Sequence, residues 1–250
     1  MKAESKSIEK FPLDPAERLD VIIDFSSLAG QTVTLKTEEL TLAGDREIFK
    51  EDVMEFRVGE FPLKKKDRSV IPDILRPFEK IEESMATKTR RILFTDSMDL
   101  YGRLALTLNN LRYHHPATEM PEFDSMEIWE FANTVFNPDA PLGIPPNISH
   151  PIHLHLVQFQ ILNRQRIDVD KFNGEDWANG VPTEDFGEII PIYESEKGWK
   201  DTVRVEPGTI TRIIVHFKNY TGDYVWHCHI LEHEDHDMMR PLRIIKKYND

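Results

Sequence analysis

Apolar and polar residues alternate with period two along Asp20–Phe25 and Gln31–Lys36, and Asp52–Val58 follows with more of the same. Successive side chains of an extended chain point to opposite faces, so these segments are predicted as strands with one covered face. From Arg91 onward short apolar segments crowd together: Ile92–Thr95, Leu104–Leu108, Ser125–Phe131, His153–Leu162, Thr202–Val205, Thr209–Phe217, Asp223–His229 and Pro241–Ile245. Ile213, Val215 and Phe217 fall on one face of their strand. Short strands punctuated by Pro, Gly and Asn predict an all-β fold, an antiparallel sandwich with Greek-key connections. Helix is predicted only as a turn or two in Ile74–Glu83 and a short piece within Ile230–Met239. The longest loop, Asp170–Trp199, contains Asn173-Gly174, Asn179-Gly180 and eight acidic residues. Loops carry specificity on rigid scaffolds, so it is a candidate wall for a substrate pocket.

Composition narrows the class. The 250 residues are 40% hydrophobic, enough for a sizeable core in one or two domains. A net charge of -13 argues against nucleic acid or an anionic membrane surface as a partner. No apolar run approaches the roughly 18 residues of a spanning helix, and Met1–Lys10 has no apolar core of a secretory signal. Phe61–Arg91 is basic, then proline-bearing, and reads as a solvated connection between domains.

The residues that carry chemistry fall in two places. Tyr224–Met238 holds the only cysteine, Cys228, between His227 and His229, with His233 and Met238 further on. On a strand, His227 and His229 look one way and Cys228 the other, so consecutive residues would join two adjacent sites. Two His, one Cys and a distant Met form the ligand set of a blue-copper electron-transfer centre. The second His comes from His150-Pro-Ile-His-Leu-His155. There His153 and His155 share a face, while His150 stands outside that alternation and is free to join Cys228. Zinc competes for the same donors, but a structural zinc site shows paired cysteines or a compact four-ligand spacing, and neither is present. A cupin reading of His153-x-His155 lacks its downstream glutamate. His114, His115, His216 and His236 read as ordinary core or surface residues, and Met239 as a packing residue.

His-Pro-Ile-His-Leu-His followed by His-Cys-His-Ile-Leu-Glu-His-Glu-Asp-x-Asp-Met-Met resembles the C-terminal copper signature of multicopper oxidases, in wording close to bacterial spore-coat-type laccases. Ser195–Thr202, Asn109-Asn110 and Arg112–His114 are similar to that group too, and the likeness runs from about Leu13 to Ile244. The resemblance implies a type 1 copper on His150, Cys228 and His233 with Met238 axial, a type 2 copper at His153, and a type 3 pair at His155, His227 and His229. Glu234 matches an acidic residue used for proton delivery to bound oxygen. Electrons from a phenolic or other small reducing substrate would enter near His233, pass through Cys228 into the flanking imidazoles, and reach dioxygen. The implied fold is a cupredoxin-like sandwich over residues 91–250, preceded by a linker at 76–90 and a partial middle cupredoxin domain at 1–75, since Pro15–Asp24 resembles a segment well inside that domain. An N-terminal cupredoxin domain, with a second set of His-x-His pairs, is expected to be lacking.

Two functions therefore stand: a truncated laccase-like oxidase whose trinuclear cluster is completed by another subunit or a complementing domain, or an electron-transfer module holding type 1 copper alone. The incomplete sheet near residues 20–58 predicts self-association as a homo-oligomer through its unpaired edge. A cytoplasmic or spore-associated location is expected.

Overall fold

The computed structural model describes residues 10–37, 51–60, 68–75, 77–134, 148–183 and 186–246. Two sheets make up the C-terminal part. The first contains β3 (Lys88–Met98), β4 (Leu104–Leu108), β5 (Ser125–Asn133), β7 (Phe159–Ile167), β8 (Phe186–Ile190) and β10 (Thr209–Phe217), in the order β4-β3-β5-β10-β7-β8. The second runs β12-β11-β6-β9, with β6 at His150–Leu154, β9 at Thr202–Val205, β11 at Gly222–Cys228 and β12 at Met239–Ile244. All pairings are antiparallel except β3 with β5. The result is an all-β, cupredoxin-like sandwich.

The inner faces of both sheets meet in one core. Ile92, Phe94, Trp129, Phe131, Ile213, Val215 and Phe217 come from the first sheet, and Ile152, Leu154, Val203, Val205, Trp226, Cys228, Leu242 and Ile244 from the second. Trp226 stands edge-on to Trp129 across the interface, with centroids 5.4 Å apart, an arrangement that suits the ring quadrupoles. The outer face of the first sheet is covered as well. Ile81 packs with Ile128 and Ile214, and its N–H donates to Gln160 Oε1 at 3.0 Å. Part of the proline-bearing connection thus lies on the sheet, and β3 begins at Lys88, inside it.

Several expected elements differ. His153–Leu162 is not one strand: the chain turns at Leu156, whose φ of 73° is foreign to a strand, and β6 and β7 enter different sheets. Asp20–Phe25 is in no strand, although Val21, Ile22 and Ile23 are exposed; its alternation has no partner strand among the described residues. Upstream, β1 (Thr32–Lys36) and β2 (Asp52–Arg57) pair with each other and, among the described residues, with no other strand. Among the described residues of Ile74–Glu83 there is no α-helix; a 3-10 turn begins at the last of them and spans Glu83–Met85. The stretch 170–199 is not a bare loop, since it carries α1 (Gly174–Ala178), β8 and a 3-10 turn at Glu194–Glu196. Within Ile230–Met239 the helix is α2, Leu231–Glu234.

Candidate metal centre

Strands β6 and β11 are neighbours, and their register places His227 opposite His153 and Cys228 opposite Ile152. Directly opposed residues of a ladder share a face, so the alternation of the two strands builds two sites back to back. His150 belongs to β6 itself. Three residues before His153, it lies on the face of Ile152 and Cys228, so the strand's own parity places it there, not an exception before Pro151.

The core-side site contains His150, Cys228 and His233, whose ligand atoms converge. Cys228 Sγ lies 3.6 Å from His150 Nδ1 and 3.7 Å from His233 Nδ1, and the two nitrogens are 3.3 Å apart. The point equidistant from these atoms is about 2 Å from each, the length of a metal–nitrogen bond and slightly under that of a metal–sulfur bond. α2 brings His233 back: its N–H donates to Ile230 O at 3.0 Å, and its own carbonyl accepts from Met238 N at 2.9 Å. Met238 is buried, and its carbonyl accepts from Cys228 N at 3.0 Å.

Burial governs the electrostatics of this site. It pushes the His150 imidazole down to about 3, with the neighbouring His233 adding to the effect, and lowers His233 as well. It pushes the Cys228 thiol up to about 12. Both rings are therefore neutral, each with a lone pair to offer, and the pocket has no charge of its own to stabilise a thiolate. A bound cation supplies that charge and inverts the thiol's preference. His150 Nε2 is buried without a hydrogen-bond partner, which leaves Nδ1 as the atom facing the donors. The set fits a soft or borderline transition metal.

On the opposite face, ligand atoms of His153, His155 and His227 lie within 4.8 Å of one another. His155 Nε2 and His227 Nε2 are 3.2 Å apart. His229 is outside this group of three, but its ring lies 5.2 Å from His227 and 5.7 Å from His153. Two rings are oriented by their outer nitrogens. His153 Nδ1 lies 2.9 Å from Asp201 O and 3.1 Å from Thr202 Oγ1, and His227 Nδ1 lies 2.9 Å from Cys228 O and 3.2 Å from Glu234 Oε2. In both, Nε2 is left to face the cluster, the tautomer control common around metal-bound histidines. Burial lowers His153 and His155, and the adjacent imidazoles add to this by disfavouring a second positive charge.

Sequence reasoning missed Asp201 and Thr202 as partners of His153. Trp199-Lys-Asp-Thr202 stood out as a motif, but nothing local linked it to a histidine some fifty residues away. The remaining histidines lie apart from both groups: His216 Nε2 meets Asp124 at 2.8 Å, His236 Nε2 meets Asp99 at 3.3 Å, and His114 stacks on His115.

A sequence model of the multicopper oxidase family matches residues 87–247. The chain is 38% identical over 240 residues to a laccase of Bacillus subtilis (strain 168), covering 96% of this chain and 44% of that protein. It is 35% identical over 244 residues to a laccase of Haloferax volcanii, covering 94% of this chain and 35% of that protein. Among solved structures, the McoA multicopper oxidase 2F4 variant from Aquifex aeolicus superposes with a TM-score of 0.61 at 26% identity, covering 88% of this chain and 43% of the other. A multi-copper oxidase from Pediococcus acidilactici gives 0.61 at 26% identity, covering 91% and 39%. The chain spans less than half the length of these relatives. With the family match extending over both histidine clusters and the strands that carry them, the chain belongs to the multicopper oxidase family.

Proposed function

We propose that this chain is part of a laccase-like copper oxidase acting on phenolic or other small reducing substrates, with dioxygen as the acceptor. His150, Cys228 and His233, together with Met238, would hold a type 1 copper, His153 would face a type 2 copper, and His155, His227 and His229 would face a type 3 pair. Copper there would supply one-electron redox chemistry, taking single electrons from the donor at the outer site and delivering them to dioxygen, which becomes water, at the inner one.

One observation carries this reading. Cys228 Sγ meets His150 and His233 on the core face, while its sequence neighbours present imidazoles next to His153 and His155 on the other. The two sites are therefore joined by single peptide links. Half-buried His233 gives a small donor an edge to approach, whereas His150 is sealed in the core. Glu234 Oε2, beside His227 Nδ1, holds a carboxylate next to the inner rings, where it can keep and pass a proton.

A second reading, a type 1 copper electron-transfer module, is favoured by one feature: among the described residues the inner face has four imidazoles, all from β6, β11 and the residues just after them. Copper content and oxygen uptake with a phenolic donor separate the two. Three or more coppers per chain with turnover support the oxidase; one blue copper without uptake supports the module. Replacing Cys228 with Ser should abolish the blue absorption in either case, and its persistence would remove the assigned ligand set.

A further inference from the structure

We propose that the turn Asp14–Arg18 is a clasp that positions the inner imidazole cluster, with Arg18 acting on His153 through Asp201 and Thr202. The turn is closed on itself: Glu17 N–H donates to Asp14 O at 3.0 Å, and Asp14 N–H to Glu17 Oε2 at 2.9 Å. Its three charged side chains all reach the same short stretch of the C-terminal sandwich. Glu17 pairs with Lys200 at 2.7 Å, Arg18 grips Asp201 with two bonds of 2.7 Å, and Asp14 pairs with Arg204. The Glu17–Lys200 and Asp14–Arg204 pairs are largely buried. These contacts bracket Asp201 and Thr202 at the start of β9, an edge strand whose one ladder neighbour among the described residues is β6.

The bracketed residues are the two that hold His153. Asp201 O and Thr202 Oγ1 both face His153 Nδ1, and the Thr202 hydroxyl donates in turn to Asp201 Oδ1, at 3.4 Å, the oxygen that Arg18 Nη1 holds. Asp201 O can only accept, so it requires the proton on His153 Nδ1, and a hydroxyl turned towards the Asp201 carboxylate keeps its lone pairs towards the ring and supports the same tautomer, with Nε2 open to the cluster. Arg18 is thus a positioning residue: it touches no imidazole but fixes the carboxylate that orients the hydroxyl. That the positioned ring serves a metal rests on the function proposed above; that the ring is positioned does not.

The test uses the full chain, metal-free and labelled with nitrogen-15 at histidine, with two-bond proton–nitrogen correlations reporting the His153 tautomer. Wild type should show the single Nδ1–H form. Arg18→Gln should move the His153 nitrogens towards the averaged values of a tautomer mixture, and Glu17→Gln/Arg18→Gln should move them further. Arg18 is 66% exposed, so its loss costs little global stability, and unchanged His216 signals, fixed by Asp124, report an intact fold. In a copper titration the variants should bind at the inner cluster more weakly, by up to about 10-fold, the low end for loss of a direct partner of a ligating histidine, with the midpoint of the blue absorption unmoved. His153 nitrogens that stay at wild-type values in both variants overturn the clasp. A tautomer shift in a protein whose wild type takes up no inner copper would support the clasp and defeat the oxidase reading instead.

Discussion

Cys228 is completely buried in the core that includes Ile152, Trp226 and Met238, with the His150 and His233 imidazoles beside its sulfur. In the metal-free protein a thiol reagent should therefore leave Cys228 untouched over hours and modify one thiol per chain at once in denaturant; rapid labelling of the folded protein would show the pocket to be open. Trp226, next to His227, tests the packing beneath both histidine clusters. It is 1% exposed and its Nε1 has no partner. Trp226→Phe keeps most of the contact with Trp129 and removes an unsatisfied donor, so its cost should stay under about 1.5 kcal/mol, whereas Trp226→Ala should cost about 3–5 kcal/mol through the cavity it leaves. Urea unfolding of the two variants gives this comparison directly. Ala16 is a third case, with a φ of 64° in the turn that grips β9. Glycine pays no left-handed penalty of about 1–2 kcal/mol there but has more freedom to lose on folding, so Ala16→Gly should be neutral to stabilising by up to about 1 kcal/mol.

The elements that carry the candidate site were legible to different degrees. Alternation along Asp223–His229 set Cys228 against His227 and His229, because a strand's period is fixed by backbone geometry; the observed β11 ends at Cys228 and carries the His227–Cys228 part of that pattern, with His229 just beyond it. The break between β6 and β7 was hidden, since Leu156 is an ordinary apolar residue that happens to adopt a left-handed conformation, and no Gly or Pro marks the turn. The connection 170–199 misled for a related reason: its polar composition reads as loop, yet tertiary contacts order it. Arg164 on β7, 1% exposed, makes two bonds to Glu196, of 2.7 and 2.5 Å, and stacks over Tyr193, whose hydroxyl reaches Glu206. No local pattern announces a pair 32 residues apart. Glu196→Gln should cost about 3–5 kcal/mol, because it strands a buried guanidinium, while Arg164→Met with Glu196→Leu should recover much of that loss. Denaturation midpoints that fall equally for the single and the double variant would mean that the pair's charges are not what orders this connection.

At the scale of the whole molecule, three ion pairs join the N-terminal segment to the C-terminal sandwich. Asp14, Glu17 and Arg18 reach Arg204, Lys200 and Asp201, whereas Leu13, Val21, Ile22 and Ile23 are left exposed, Ile22 at 76%. Composition and periodicity could not foretell such an arrangement, since each ion pair joins residues more than 180 positions apart. On the β1–β2 ribbon Leu35, Val53 and Met54 are exposed too, and neither strand has a further ladder partner among the described residues. Apolar side chains beside open backbone donors and acceptors favour pairing with another chain. Copies of this chain are accordingly expected to associate through the segment around residues 20–58. Size-exclusion chromatography with light scattering should show a mass that rises with concentration, and Ile22→Lys with Met54→Lys should return the chain to a monomer. A strictly monomeric wild type at high concentration would leave the exposed apolar residues without this role.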